Sequence, residues 1–125
     1  MNEVVYSSVV TAVGALVADF REQGLLVWFG ENAPQELHEF SILHKVDYQK
    51  RAPVAGDTIA INEEFFTVLA VGAVASDNLL NLGHLDLKAN GLSVAELPGD
   101  VNVRECELPV INVGDRLQVF AKDSQ

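Results

Sequence analysis

Asp57-Thr58-Ile59-Ala60-Ile61-Asn62-Glu63-Glu64-Phe65-Phe66-Thr67-Val68-Leu69-Ala70-Val71 is the stretch that decides the fold. Asn62-Glu63-Glu64 reads as a turn between two apolar runs rich in strand formers. Phe65–Val71 therefore pairs back on Asp57–Ile61 as a hairpin. Downstream, Gly72 ends the hairpin. Ser76 through Leu82 reads as a short helix, with Gly83 placed to stop it. His84–Ala89 alternates, with Leu85, Leu87 and Ala89 on one face and His84, Asp86 and Lys88 on the other. Asn90-Gly91 signals a tight turn. Late strands follow at Val101–Val103 and Arg116–Ala121.

Upstream, a loop with Pro53 and Gly56 precedes the hairpin. Before it, a strand starts near Ser41 and carries Ile42, Leu43 and His44. Asn32 is expected to cap a short helix through Phe40, with Pro34 in its first turn, where a missing N–H costs nothing. Leu25–Phe29 reads as a strand. Residues 15–23 are ambiguous, because Leu16, Val17 and Phe20 lie at helical spacing. The first strand spans Val4–Val13. Val is the commonest residue, with 18 copies. About eight short strands with two short helices point to a barrel or a sandwich closed on itself, and to one domain over residues 1–125. A parallel α/β sheet is not expected, since it needs long crossover helices. No internal repeat or low-complexity linker is read from the chain.

The charge balance excludes several functions. Eight basic against eighteen acidic residues leave a net charge of −10. Nucleic acids and anionic membrane surfaces are bound through Lys and Arg, so this chain repels both. A basic protein partner is favoured. No apolar run is long enough to span a bilayer, and Glu3 stands where a signal peptide carries Lys or Arg, so a cytoplasmic location is expected. The single cysteine, Cys106, cannot form an internal disulfide and fits a reducing compartment. Its neighbours Glu105 and Glu107 disfavour a thiolate.

The three histidines are the scarce chemistry. His38 reads as a solvated surface residue. A lone strand histidine such as His44 or His84 is more often a hydrogen-bonded structural residue than a catalyst. No close-spaced ligand pair supports a metal site, so no metal and no cofactor are expected. Phosphate-cradling loops and nucleophile elbows are missing from the sequence.

The run Ala70-Val71-Gly72-Ala73-Val74-Ala75-Ser76-Asp77-Asn78-Leu79-Leu80-Asn81-Leu82-Gly83-His84 is long and distinctive. With Gly30-Glu31-Asn32-Ala33-Pro34-Gln35-Glu36-Leu37 before it and Ala95-Glu96-Leu97-Pro98-Gly99 after it, the chain resembles the glucitol/sorbitol-specific enzyme IIA of the bacterial phosphotransferase system. The likeness runs almost end to end and is weakest over Lys45 to Ala55. The resemblance implies a mainly β protein, a small closed barrel with one or two short helices. It implies a phosphotransferase subunit that accepts a phosphoryl group from the carrier HPr and passes it to the IIB part of a glucitol permease. The family's phosphorylated histidine falls on His44 and its second histidine on His84. The two imidazoles are then expected to reach one phosphoryl group, with Lys45 and the N–H groups of a helix start near Ser76 as further donors. A non-catalytic acidic β-barrel that docks on a basic partner is the alternative, and a regulatory module of the same fold is a third reading.

Overall fold

The computed structural model describes residues 2–122. Eight strands close into a barrel: β1 (Val4–Val13), β2 (Leu25–Gly30), β3 (Ile42–Gln49), β4 (Thr58–Ile61), β5 (Glu64–Val71), β6 (Leu85–Ala89), β7 (Asp100–Val103) and β8 (Arg116–Phe120). Around the barrel the order is β1-β3-β2-β6-β7-β5-β4-β8. Two α-helices, α1 (Val17–Glu22) and α2 (Ala75–Leu82), and a 3₁₀ helix (Gln35–Phe40) complete it. The mainly β barrel expected from the chain is what forms. No described helix is long and apolar enough to cross a membrane.

Strand periodicity fills the interior. On β6, Leu85, Leu87 and Ala89 are buried while Asp86 and Lys88 are half-buried. Tyr6, Leu26, Trp28, Ile59, Phe66 and Leu117 meet them from other strands. Such side chains each contribute about 2 kcal/mol relative to exposure, so this core carries the fold. The Asn62 turn is short, because Ile61 already pairs with Glu64. Asn62 holds a left-handed φ of 54°, and its side-chain oxygen accepts the N–H of Arg116 at 3.0 Å, which fixes the hairpin against β8. The loop before β4 is pinned by Asp57. Its buried carboxylate accepts from Arg51 and from the N–H groups of Val54 and Lys122.

Two local expectations change. The helix after Asn32 begins only at Gln35, as a 3₁₀ helix, with no side-chain cap. Pro34 drives the residue before it away from helical angles, so a helix cannot start at Asn32. The Asn90-Gly91 signal does not close a hairpin. The strand that follows, β7, runs parallel to β6, so the chain must cross over through residues 90–99. Asn90 instead folds its side chain back to accept the N–H of Leu92 at 3.0 Å. A second parallel pair, β2 with β3, makes the barrel mixed. Neither crossover carries an α-helix.

An internal repeat is present, contrary to the sequence reading. Val13↔Ile42 and Ala12↔Leu43 pair in the first half, and Val71↔Val101 and Ala70↔Asn102 pair in the second. Trp28↔Ile42 matches Leu87↔Val101. The halves meet where Val27 pairs with Asp86, flanked symmetrically by Leu26↔Leu87 and Trp28↔Leu85. Gly14 and Gly72 are equivalent corners: a Cβ on either would sit 2.2 Å from a backbone carbonyl, of Glu39 or of Pro98. The sequence signal is Ala12-Val13-Gly14-Ala15…Asp19 against Ala70-Val71-Gly72-Ala73…Asp77. It is short, and nearly everything after it has diverged, so the repeat is visible only in the pairing.

Candidate functional site

His44 stands on β3 opposite Val10 of β1 and beside Gly30 of β2. It shares parity with Ile42, so its ring points into the barrel. The edge of Trp28 lies 5.5 Å from it between centroids, and Tyr6 packs 6.5 Å away. The residue is 1% exposed. Both ring nitrogens are engaged. Nδ1 lies 2.7 Å from the hydroxyl of Ser8 on β1, and Nε2 lies 2.7 Å from the carbonyl of Gly83. A carbonyl only accepts, so Nε2 carries the proton. The neutral ring then has its lone pair on Nδ1, and Ser8 donates to it. Burial pushes the His44 pKa below its ordinary value, against a smaller opposing pull from the Gly83 carbonyl. The ring is therefore neutral at pH 7.

Gly83 reaches His44 because of how α2 ends. Gly83 takes the left-handed conformation, φ 67°, and its N–H and that of His84 turn back onto Leu79 and Asn78. This turn lies directly on β2: a Cβ on Gly83 would meet the Gly30 nitrogen at 2.6 Å and His44 Nε2 at 3.3 Å. Only glycine satisfies both the angle and the approach. The helix is thus part of the site.

A cavity of about 740 Å³ opens beside this contact. The loop after β2 forms one wall, with Asn32 and Pro34. Leu79 to Leu82 of α2 and its cap Gly83 form another, and His44, Lys45 and Gln49 of β3 a third. Gly83, the partner of Nε2, lines it and Ser8, the partner of Nδ1, does not, so the cavity lies on the Nε2 side of the ring. The C-terminal end of α2 faces this space. The N–H groups near Ser76 lie at the opposite end of the helix and do not serve it, and a carbonyl end repels an anion. Lys45 is exposed on the wall.

His84 lies elsewhere. Its ring stacks on Phe29, centroids 4.2 Å apart and planes 8° from parallel, and Nε2 is 3.0 Å from an Asp86 carboxylate oxygen. Phe29 is the neighbour of the inward Trp28, so strand alternation puts His84 on the outer side of the wall. His44 and His84 meet at the Gly83-His84 turn; Phe29, on which His84 stacks, lines the cavity, while His84 is not itself among its lining residues. His38 is half-buried and bonds to the Ala33 carbonyl at 2.8 Å. Among the described residues, no group of three or more His, Cys, Asp or Glu side chains is arranged to hold a metal ion.

A model of the family described as PTS system glucitol/sorbitol-specific IIA component matches residues 5–118. The chain belongs to this family of the sugar phosphotransferase system. Two curated relatives carry the name PTS system glucitol/sorbitol-specific EIIA component, from Shigella flexneri and from Escherichia coli (strain K12). Each is 38% identical over 100 residues, covering 80% of this chain and 81% of the relative. A crystal structure of a PTS system IIA component from Enterococcus faecalis V583 superposes with a TM-score of 0.81. It covers 92% of this chain and 99% of that one at 21% identity, so it shows that the fold is shared.

Sequence reasoning about this IIA component reached His44 through family likeness and missed Ser8 and the Gly83 carbonyl. Ser8 carries no motif, and its only signal is a polar residue on an inward strand position. The carbonyl has no side chain to read. Both become visible only when the barrel closes.

Proposed function

We propose that the chain is a cytoplasmic phosphocarrier that accepts a phosphoryl group on His44 from the histidine-phosphorylated carrier HPr. It then hands the group to the IIB part of a glucitol/sorbitol permease, which phosphorylates the sugar on entry. The observation that carries this reading is a neutral, rigidly held imidazole whose Nε2 edge meets an open cavity. Phosphoryl transfer asks for little beyond in-line approach and charge stabilisation. A lone pair on the His44 ring attacks phosphorus, the P–N bond to the donor imidazole breaks, and in the sum one phosphoryl group is exchanged for one proton between the two rings. Lys45 on the cavity wall supplies positive charge to the arriving oxygens. His84 acts from the next residue along, where its stack on Phe29 and its bond to Asp86 steady the turn that carries Gly83.

The net charge of −10 suits a basic partner, and brief handover suits a small interface. Transfer is expected to slow as salt rises. The full engagement of both His44 nitrogens also favours a second reading, a purely structural histidine in a docking module. Incubation with phosphoenolpyruvate, enzyme I and HPr separates the two. Intact mass should show one acid-labile phosphoryl group, absent from His44→Ala. An unmodified wild-type chain would bring the docking module forward.

A further inference from the structure

The resting bonds of His44 cover the ring nitrogen on the cavity side. Nε2 faces the cavity but carries a proton, bonded to the Gly83 carbonyl at 2.7 Å. The lone pair sits on Nδ1, turned toward Ser8, a fully buried residue. In this tautomer Nε2 cannot attack phosphorus. The second half of the barrel shows what the same carbonyl does without a histidine. Gly24, the counterpart of Gly83, gives its carbonyl to the N–H of Ala89, the counterpart of Gly30. The position of His44 is held there by Val103, and that of Ser8 by Phe66. The first half has therefore lost a backbone bond and gained a polar clamp on one ring.

We infer that Ser8 is the positioning residue that converts His44 from a guarded into a nucleophilic tautomer, with the Gly83 carbonyl as the guard. This rests on His44 being the phosphoacceptor. A hydroxyl can both donate and accept, so Ser8 can bond Nδ1 in either state. In the guarded state it donates to bare Nδ1. In the active state the Gly83 carbonyl leaves Nε2, the proton resides on Nδ1, and Ser8 accepts it. Nε2 is then a free lone pair aimed at the cavity. Nothing else in the described contacts of Nδ1 can take that proton. The phosphorylated ring, with phosphorus on Nε2, keeps its other nitrogen toward Ser8.

The test compares Ser8→Ala, Ser8→Thr and Ser8→Val with the wild type. Single-turnover transfer from phospho-HPr is read beside nitrogen NMR of the His44 ring, with thermal unfolding to confirm folding. The resting wild type should show the proton on Nε2. Without the hydroxyl the guarded ring keeps a bare acceptor nitrogen but the active ring carries an orphaned buried N–H, the costlier of the two, so Ser8→Ala and Ser8→Val should transfer roughly 10- to 100-fold more slowly, and Ser8→Thr should restore most of the rate. The loss should fall on the rate at saturating donor, with KM little changed. A wild-type rate in folded Ser8→Ala, or a resting proton on Nδ1, overturns the inference while leaving His44 as acceptor. A wild-type chain that takes no phosphoryl group at all overturns the phosphocarrier reading, and this inference with it.

Discussion

The two halves of the barrel share a backbone plan and differ in what fills one inward position. The first half, β1, α1, β2 and β3, carries His44, bonded to Ser8 of the same half and to Gly83 from the other half. The second half, β5, α2, β6 and β7, carries Val103 at the equivalent place, with Phe66 where Ser8 would be. The second half shows the barrel's default: an apolar core position, and a glycine carbonyl satisfied by backbone. The adjoining loops differ as well. Residues 90–99 are tied down by Asn102, whose side-chain N–H₂ group donates to the carbonyls of Leu92 and Val94, and which pairs with Asn90. The counterpart of Asn102 is Leu43, which holds no such loop, and the cavity lies on that side. One framework thus supports a closed structural half and an open chemical half.

The largest test makes the halves alike. His44→Val should end phosphoryl transfer, read by intact mass, and still give a folded chain, because Val103 fills the equivalent place. It leaves the Ser8 hydroxyl and the Gly83 carbonyl without their partner, so stability should fall by about 1–3 kcal/mol in urea unfolding. The same pair separates the halves by pH. The folded-state pKa of His44 lies below its ordinary 6.5, so below that value the unfolded chain binds more protons than the folded one. Its contribution is full above pH 6.5 and is lost as the pH falls through the folded pKa. The wild type should lose stability in this window relative to His44→Val. Asp57 acts lower. Burial opposes its charge, but Arg51 and the N–H groups of Val54 and Lys122 outweigh that and hold its pKa below 3.8, so its contribution is lost only in stronger acid.

The next test asks whether the corners are equivalent. Gly14→Ala and Gly72→Ala each force a Cβ against backbone carbonyls and should each cost at least about 2 kcal/mol. A large loss at one corner and none at the other would break the correspondence. Asn102→Ala should cost about 2 kcal/mol and open residues 90–99 to proteolysis, with transfer through His44 intact. The smallest effect is expected from His84→Ala. It should slow transfer modestly by loosening the Gly83 turn, and complete loss would mean that His84 meets the phosphoryl group itself.

Periodicity and turn chemistry carry far in this chain because they are local. Val4–Val13, the Asn62 hairpin, the Gly83 stop and the alternation of Leu85, Leu87 and Ala89 follow from neighbours in sequence, and all formed as read. The start of the 3₁₀ helix is local as well, because Pro34 outweighs the capping signal of Asn32. The parallel pairs were not, since the partner of a strand is set by which apolar face closes the barrel. His44 could be marked as unusual from the residues alone, and the family likeness made it the acceptor. Its chemistry was decided elsewhere. Ser8 lies 36 positions before it and Gly83 39 after it. Neither spacing has any local meaning, and only the closed barrel brings a hydroxyl and a carbonyl to the two edges of one buried ring. Sequence set the inward direction of His44, and tertiary closure set its tautomer.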